Sequence, residues 1–288
     1  MDKPLIVGVD GSDPSLAALD WAVDEATAHG VPLRIVHASR WEWYEGHEPS
    51  FGINRSSVQA LSDHIAASAV ERALRRASAV KVTSEVVSED PAAALARLSA
   101  EAGGVVVGSR GRGELAELLL GSVSLSVAAH AASPVIVVRG TEGKVTGGLS
   151  TVAVGVDDPE EAAHAVRFAL HEAQVRNAAV IAVHAWRCPA REMPDFPAPT
   201  NDDHRRRAEQ LVEEAVRGAA AAARSGMTVR GRTVEGHART ALLDAARTAD
   251  LLVVGARRRK GHVGMQLGPV NHAVLHHAAC PVAVVPHA

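Results

Sequence analysis

The sequence predicts an α/β fold: two tandem doubly wound domains, each with a five-stranded, mostly parallel sheet flanked by helices. Three observations point there. Blocks of the first half recur in the second at one constant offset, short apolar runs alternate with helix-start signals, and those runs are continuous and β-branched, as in buried parallel strands. Val7-Gly8-Val9-Asp10 is echoed as Val154-Gly155-Val156-Asp157, an offset of 147 residues. The same offset relates Val36-His37-Ala38 to Val183-His184-Ala185, Val106-Val107-Gly108 to Val253-Val254-Gly255, and Leu120-Gly121 to Leu267-Gly268. It also relates His130-Ala131-Ala132-Ser133-Pro134-Val135 to His277-Ala278-Ala279-Cys280-Pro281-Val282. One register held across separate blocks marks a duplicated domain. The domains are expected over 1–139 and 151–288, with the Gly-rich polar stretch 140–150 as linker.

Within the first copy, Leu5 to Val9 reads as a strand. Asp13-Pro14 then offers an N-cap followed by proline at the first helical position. Leu16, Leu19, Val23 and Ala26 recur at helical spacing until Gly30, which suits the residue after a helix. Leu33 to Val36 is a second strand, Ser56 to Ala79 a long helix and Val82 to Val87 a third strand. Asp90-Pro91 repeats the helix-start signal, and Val105 to Val107 and Val135 to Val138 are two further strands. Strands alternating with helices imply right-handed crossovers, and such sheets bind ligands beyond the carboxyl ends of the strands, where strand order reverses.

Composition narrows the function classes. The 288 residues are 47% hydrophobic and 22% charged, and 30 Lys plus Arg stand against 33 Asp plus Glu. No global positive field advertises nucleic acid or an anionic membrane. No run approaches the length of a membrane helix, and the N-terminus carries no secretory pattern. Cys188 and Cys280 form neither a disulfide framework nor a CxxC metal motif, so a cytoplasmic location is expected.

After the fourth strand comes Gly108-Ser109-Arg110-Gly111, nine residues, then Gly121-Ser122 opening the last helix of the copy. Glycines permit close backbone approach to a phosphate, and a helix N-terminus offers free amides at the positive end of its dipole. The alternative is an ordinary pair of strand-to-helix turns. Neither GxxxxGK[ST] nor GxGxxG occurs, so neither a P-loop nor a dinucleotide site is supported.

This G-x-x-G-x9-G-S pattern, with Ser133-Pro134-Val135-Ile136-Val137-Val138 after the helix, resembles the universal stress protein family, and the resemblance spans both copies. It implies an ATP site with Asp10 and Ala38 at the adenine and Val107, Gly108, Gly111, Gly121, Ser122 and Val123 around ribose and phosphates, with Mg2+ as an optional companion. A carboxylate at a strand end can accept from an exocyclic amine, and it can equally cap the following turn; chemistry alone leaves both roles for Asp10 open. The resemblance further implies a nucleotide-dependent sensor or regulator, an internal pseudo-dimer through the last strands Val135–Val138 and Val282–Val285, and a homodimer.

The second copy departs from the pattern. Asp157, Ala185, Gly255 and Gly268 are kept, but Gly111 is replaced by Arg258 and Ser122 by Pro269. Arginine does not enter glycine conformations cheaply, and proline removes an amide donor while leaving the helix start intact. The basic run Arg257-Arg258-Arg259-Lys260 could embrace a triphosphate or be a solvated loop. Weaker nucleotide binding by the second copy, or none, is expected.

Other constellations carry less. His272 and His276 share one helical face, but no third ligand, HExxH or cysteine cluster accompanies them, and no structural metal is expected. His37 and His184 follow apolar strands at equivalent places and read as packed and hydrogen-bonded. Trp41-Glu42-Trp43-Tyr44 could cover a base, although the second copy has Cys188-Pro189-Ala190-Arg191 there. No nucleophile with an oriented base is assembled, so a binding protein is expected over an enzyme, with a slow ATPase or a scaffold carrying a vestigial site as alternatives.

Overall fold

The computed structural model describes residues 3–39, 55–111, 120–140, 148–187, 200–220, 227–256 and 267–287. These fall into two compact units, one before and one after residue 146. The first runs β1 (Leu5–Gly8), α1 (Asp13–His29), β2 (Leu33–Ala38), α2 (Arg55–Arg76), β3 (Val82–Val87), α3 (Pro91–Leu98), β4 (Gly104–Gly108), α4 (Ser122–His130) and β5 (Val135–Val138). Its strands lie in the order β3-β2-β1-β4-β5, with every neighbouring pair parallel. Strand order therefore reverses between β1 and β4, which opens a crevice at their carboxyl ends.

The second unit repeats this: β6 (Thr151–Gly155), α5 (Pro159–Arg176), β7 (Ala179–Trp186), α6 (Asn201–Ala220), β8 (Val229–Glu235), α7 (Ala238–Thr248), β9 (Leu251–Ala256), α8 (Pro269–His277) and β10 (Val282–Pro286). Its order is β8-β7-β6-β9-β10, again parallel throughout, with the reversal between β6 and β9.

The central strands are buried on both faces, which is why they read as unbroken β-branched runs. Ile6, Val7, Val105 and Val106 are fully buried in the first unit, as are Val152, Val154, Leu252 and Val253 in the second. Helix α1 presses Leu19, Ala22 and Val23 onto the sheet, all inaccessible to solvent. Each such side chain of Val or Leu size contributes about 1.5–3 kcal/mol by leaving water.

Local chemistry sets the helix ends. Asp13 is the first residue of α1 and its cap is Ser12, which has extended backbone (φ −77°, ψ 155°) and accepts the Ser15 amide on its hydroxyl. The predicted cap is thus one residue late, and Asp13 instead places its charge at the positive end of the helix dipole. Gly30 closes α1 in the left-handed region at φ 66°, and its counterpart Asn177 closes α5 at φ 54°. Asp90 caps α3 as expected, accepting the Ala93 amide at 3.0 Å. Asp158 caps α5 through the amides of Glu160 and Glu161 at 2.9 and 3.1 Å. Among the described residues, no helix is long and apolar enough to cross a membrane.

Candidate functional site

Asp10 follows β1 at the reversal point, and its carboxylate is held by the start of α1. Oδ1 accepts the Ser12 amide at 3.0 Å and the Ser12 hydroxyl at 2.6 Å. The Asp10 amide donates to the Ser15 hydroxyl oxygen at 3.3 Å, and that hydroxyl donates to the Ser12 carbonyl at 2.9 Å. An aspartate that bonds its own backbone two residues on makes a turn, here passing through Gly11 at φ 80°. Of the two roles open to Asp10, turn-capping is therefore filled by Oδ1.

The other oxygen meets the glycine turn. A Cβ placed on Gly111 would lie 2.5 Å from Asp10 Oδ2, so only glycine lets this carboxylate sit against the turn after β4. A Cβ on Gly108 would lie 2.6 Å from the Pro14 carbonyl oxygen and 3.0 Å from the Ser15 amide nitrogen. The first turn of α1 thus packs directly on the end of β4. Both glycines are needed for protein to approach protein, a nearer cause than the phosphate approach inferred from their spacing.

On the far side of the turn, Gly121 donates its amide to the Ser109 carbonyl at 2.8 Å and N-caps α4 with extended backbone (φ −65°, ψ 147°). No side chain caps this helix, in contrast to α1, α3 and α5. The Ser124 hydroxyl donates to the Gly108 carbonyl at 2.6 Å and so ties the first turn of α4 to the end of β4. At the end of β2, buried His37 donates from Nδ1 to the Val9 carbonyl at 2.8 Å, while the Val9 amide donates to the Val36 carbonyl at 2.9 Å. These bonds lock the two strand ends that carry Asp10 and Ala38. Asp10, Ala38, Val107, Gly108, Gly111, Gly121, Ser122 and Val123 all stand at the carboxyl ends of β1, β2 and β4 or at the start of α4.

The second unit keeps the strand lock and changes what surrounds its aspartate. His184 donates from Nδ1 to the Val156 carbonyl at 2.8 Å, and the Val156 amide donates to the Val183 carbonyl at 2.9 Å. Asp157 and Ala185 stand where Asp10 and Ala38 stand. Yet Ser12 and Ser15 become Pro159 and Ala162 at the 147-residue offset, so neither hydroxyl recurs at those positions and Pro159 has no amide hydrogen to donate. Asn271 replaces Ser124, donating from Nδ2 to the Gly255 carbonyl at 2.9 Å. A Cβ on Gly255 would meet His287 Nε2 at 2.9 Å, an imidazole where the first unit has helix backbone. Gly268 caps α8, and Pro269 occupies its first turn.

The universal stress protein family model matches residues 1–139 and 148–286. The chain belongs to the universal stress protein family. A universal stress protein of Mycobacterium tuberculosis is 34% identical over 300 residues, covering 99% of this chain and 99% of its own. One of Mycolicibacterium smegmatis is 32% identical over 300 residues, covering 98% of this chain and 96% of its own. The crystal structure of a universal stress protein from Archaeoglobus fulgidus superposes with a TM-score of 0.72 at 20% identity over 99% of this chain and 98% of its own, which shows the shared fold. A universal stress protein in complex with cAMP aligns with 48% of this chain and 97% of its own at 29% identity and a TM-score of 0.38.

Several residues at this crevice are not singled out by the sequence motifs. Ser12, Ser15 and Ser124 are small hydroxyls beside motif glycines, and their signal was the repeat itself, since their counterparts are Pro159, Ala162 and Asn271. Arg258, the basic run Arg257–Lys260, the cluster Trp41–Tyr44 and its counterpart 188–191 lie outside the described residues.

Proposed function

We propose that the first half of this universal stress protein binds an adenine nucleotide, ATP above others, and that the chain acts in the cytoplasm as a nucleotide-dependent sensor or regulator. The observation that carries this reading is the contact between Asp10 and Gly111. It brings a base-reading carboxylate and a phosphate turn to one crevice at the strand-order reversal. The amides opening α4, which no side chain caps, supply donors for the phosphate oxygens. Asp10 Oδ2, on the side turned to the glycine turn, would accept from the exocyclic amine, and Ala38 would flank the ring. Mg2+, where present, would ride on the phosphates. For regulation, ATP must bind two states of the protein with different affinities.

The second half has lost the serines that orient its aspartate, one motif glycine and one N-terminal amide. Weak nucleotide binding there, or none, follows from those replacements. The internal pairing of the last strands and a homodimer belong to the same proposal, on the strength of the apolar runs Val135–Val138 and Val282–Val285.

The test is to denature the freshly purified chain and identify released nucleotide by mass spectrometry, alongside Gly121→Asp. The variant puts a carboxylate where the phosphates would sit. ATP released from the wild type alone is the expected result. A wild-type chain that neither binds nor releases ATP or AMP would overturn the reading.

A further inference from the structure

The duplication supplies an internal control for features that the fold does not require. Helix α4 folds with Leu125 and Ala129 at two half-buried positions one turn apart. At the same positions α8 carries His272, exposed, and His276, half-buried. Nothing in the shared architecture demands imidazoles there. Residues four apart on a helix sit one above the other on one face. The two rings are accordingly stacked, with centroids 6.3 Å apart and planes inclined by 13°.

We propose that His272 and His276 form a two-imidazole site on α8 for a late first-row divalent cation of the Cu2+, Ni2+ or Zn2+ class. A metal sits about 2.0–2.1 Å from an imidazole nitrogen, so the exposed His272 ring must turn towards His276 for both to ligate one ion. Imidazole nitrogens select these ions over Mg2+ and Ca2+, which take oxygen. His276 lies in the last turn of α8, where the helix dipole favours positive charge. The third ring nearby, His277, has its centroid 6.0 Å from that of His276 but is tilted by 44° and turned to another face of the helix. Among the described residues the site is thus an open two-ligand chelate, unlike a closed structural zinc centre.

Titration of the full chain with Cu2+ in a non-coordinating buffer, followed by electron paramagnetic resonance, tests this, with Zn2+ and Ni2+ added as competitors. One nitrogen-ligated equivalent should bind ahead of the other histidines. His272→Gln and His276→Gln should each weaken it at least tenfold, while His277→Gln and His130→Gln leave it unchanged. Thermal melts of the metal-free variants should match the wild type, because the fold accepts other residues at both positions. Wild-type affinity in either of the first two variants, an equal loss in His277→Gln, or no nitrogen-ligated Cu2+ in the wild type would overturn the assignment.

Discussion

Replacing Gly111 with alanine adds a single carbon and tests the contact that joins the two sides of the crevice. The new Cβ would lie 2.5 Å from Asp10 Oδ2, where ordinary contact begins at 3.4 Å, so the carboxylate must retreat by nearly 1 Å. An exposed carboxylate would do so freely. This one is tethered at Oδ1 by the Ser12 amide and hydroxyl at 3.0 and 2.6 Å, so retreat stretches or breaks at least one bond to a charged group. The bond that the displaced Oδ2 would no longer make to the adenine amine is worth about 1.5–3 kcal/mol, and every 1.4 kcal/mol is tenfold in affinity. ATP affinity should therefore fall roughly 10- to 100-fold in Gly111→Ala, as measured by calorimetry. Gly148→Ala is the control, since a Cβ there meets nothing within 4 Å. Wild-type ATP affinity in Gly111→Ala would refute the idea that Asp10 must be held in this orientation.

Three further outcomes follow from the same geometry. Ser12→Ala removes both the α1 cap and the hydroxyl on Asp10, and should cost about 0.5–2 kcal/mol in denaturant melts while also weakening ATP. Gly218 lies within α6 with open space at its Cβ position, so Gly218→Ala should stabilise the second unit by about 0.5–1 kcal/mol, seen as a raised melting temperature. Asp203 accepts the Thr200 amide and hydroxyl, which hold its carboxyl below the ordinary aspartate value. A carboxyl lowered in the folded state stabilises at neutral pH and loses that contribution as pH falls through its folded value. Protection against hydrogen exchange at the start of α6, measured relative to the intrinsic rate at each pH, should therefore fall on acidification, and Asp203→Asn should abolish that change.

The fold was legible because its signals are local or repetitive. Buried parallel strands must be apolar along their whole length, so Val105–Val107 and Val135–Val138 announce themselves, and Gly30 and Asp90 mark helix ends by backbone chemistry alone. The start of α1 was misplaced by one residue because Ser12, Asp13 and Pro14 each suit a helix start, and only the Ser12 bond to Ser15 decides among them. The site was legible as a set of positions but not as a set of causes. Gly108 and Gly111 stand out by spacing, yet what a side chain there would strike, Pro14 and Asp10, lies nearly a hundred residues away. His287 against Gly255 is a long-range contact with no counterpart in the first half, so neither motif nor repeat foretold it.

One fold was duplicated, and we propose that one nucleotide cradle was kept. Native mass spectrometry of the full chain across an ATP titration tests it most directly. One ATP per chain, absent in Gly121→Asp and retained in Asp157→Ala, is the predicted result. Two ATP molecules bound per chain with similar affinity, or one that survives Gly121→Asp and is lost in Asp157→Ala, would contradict it.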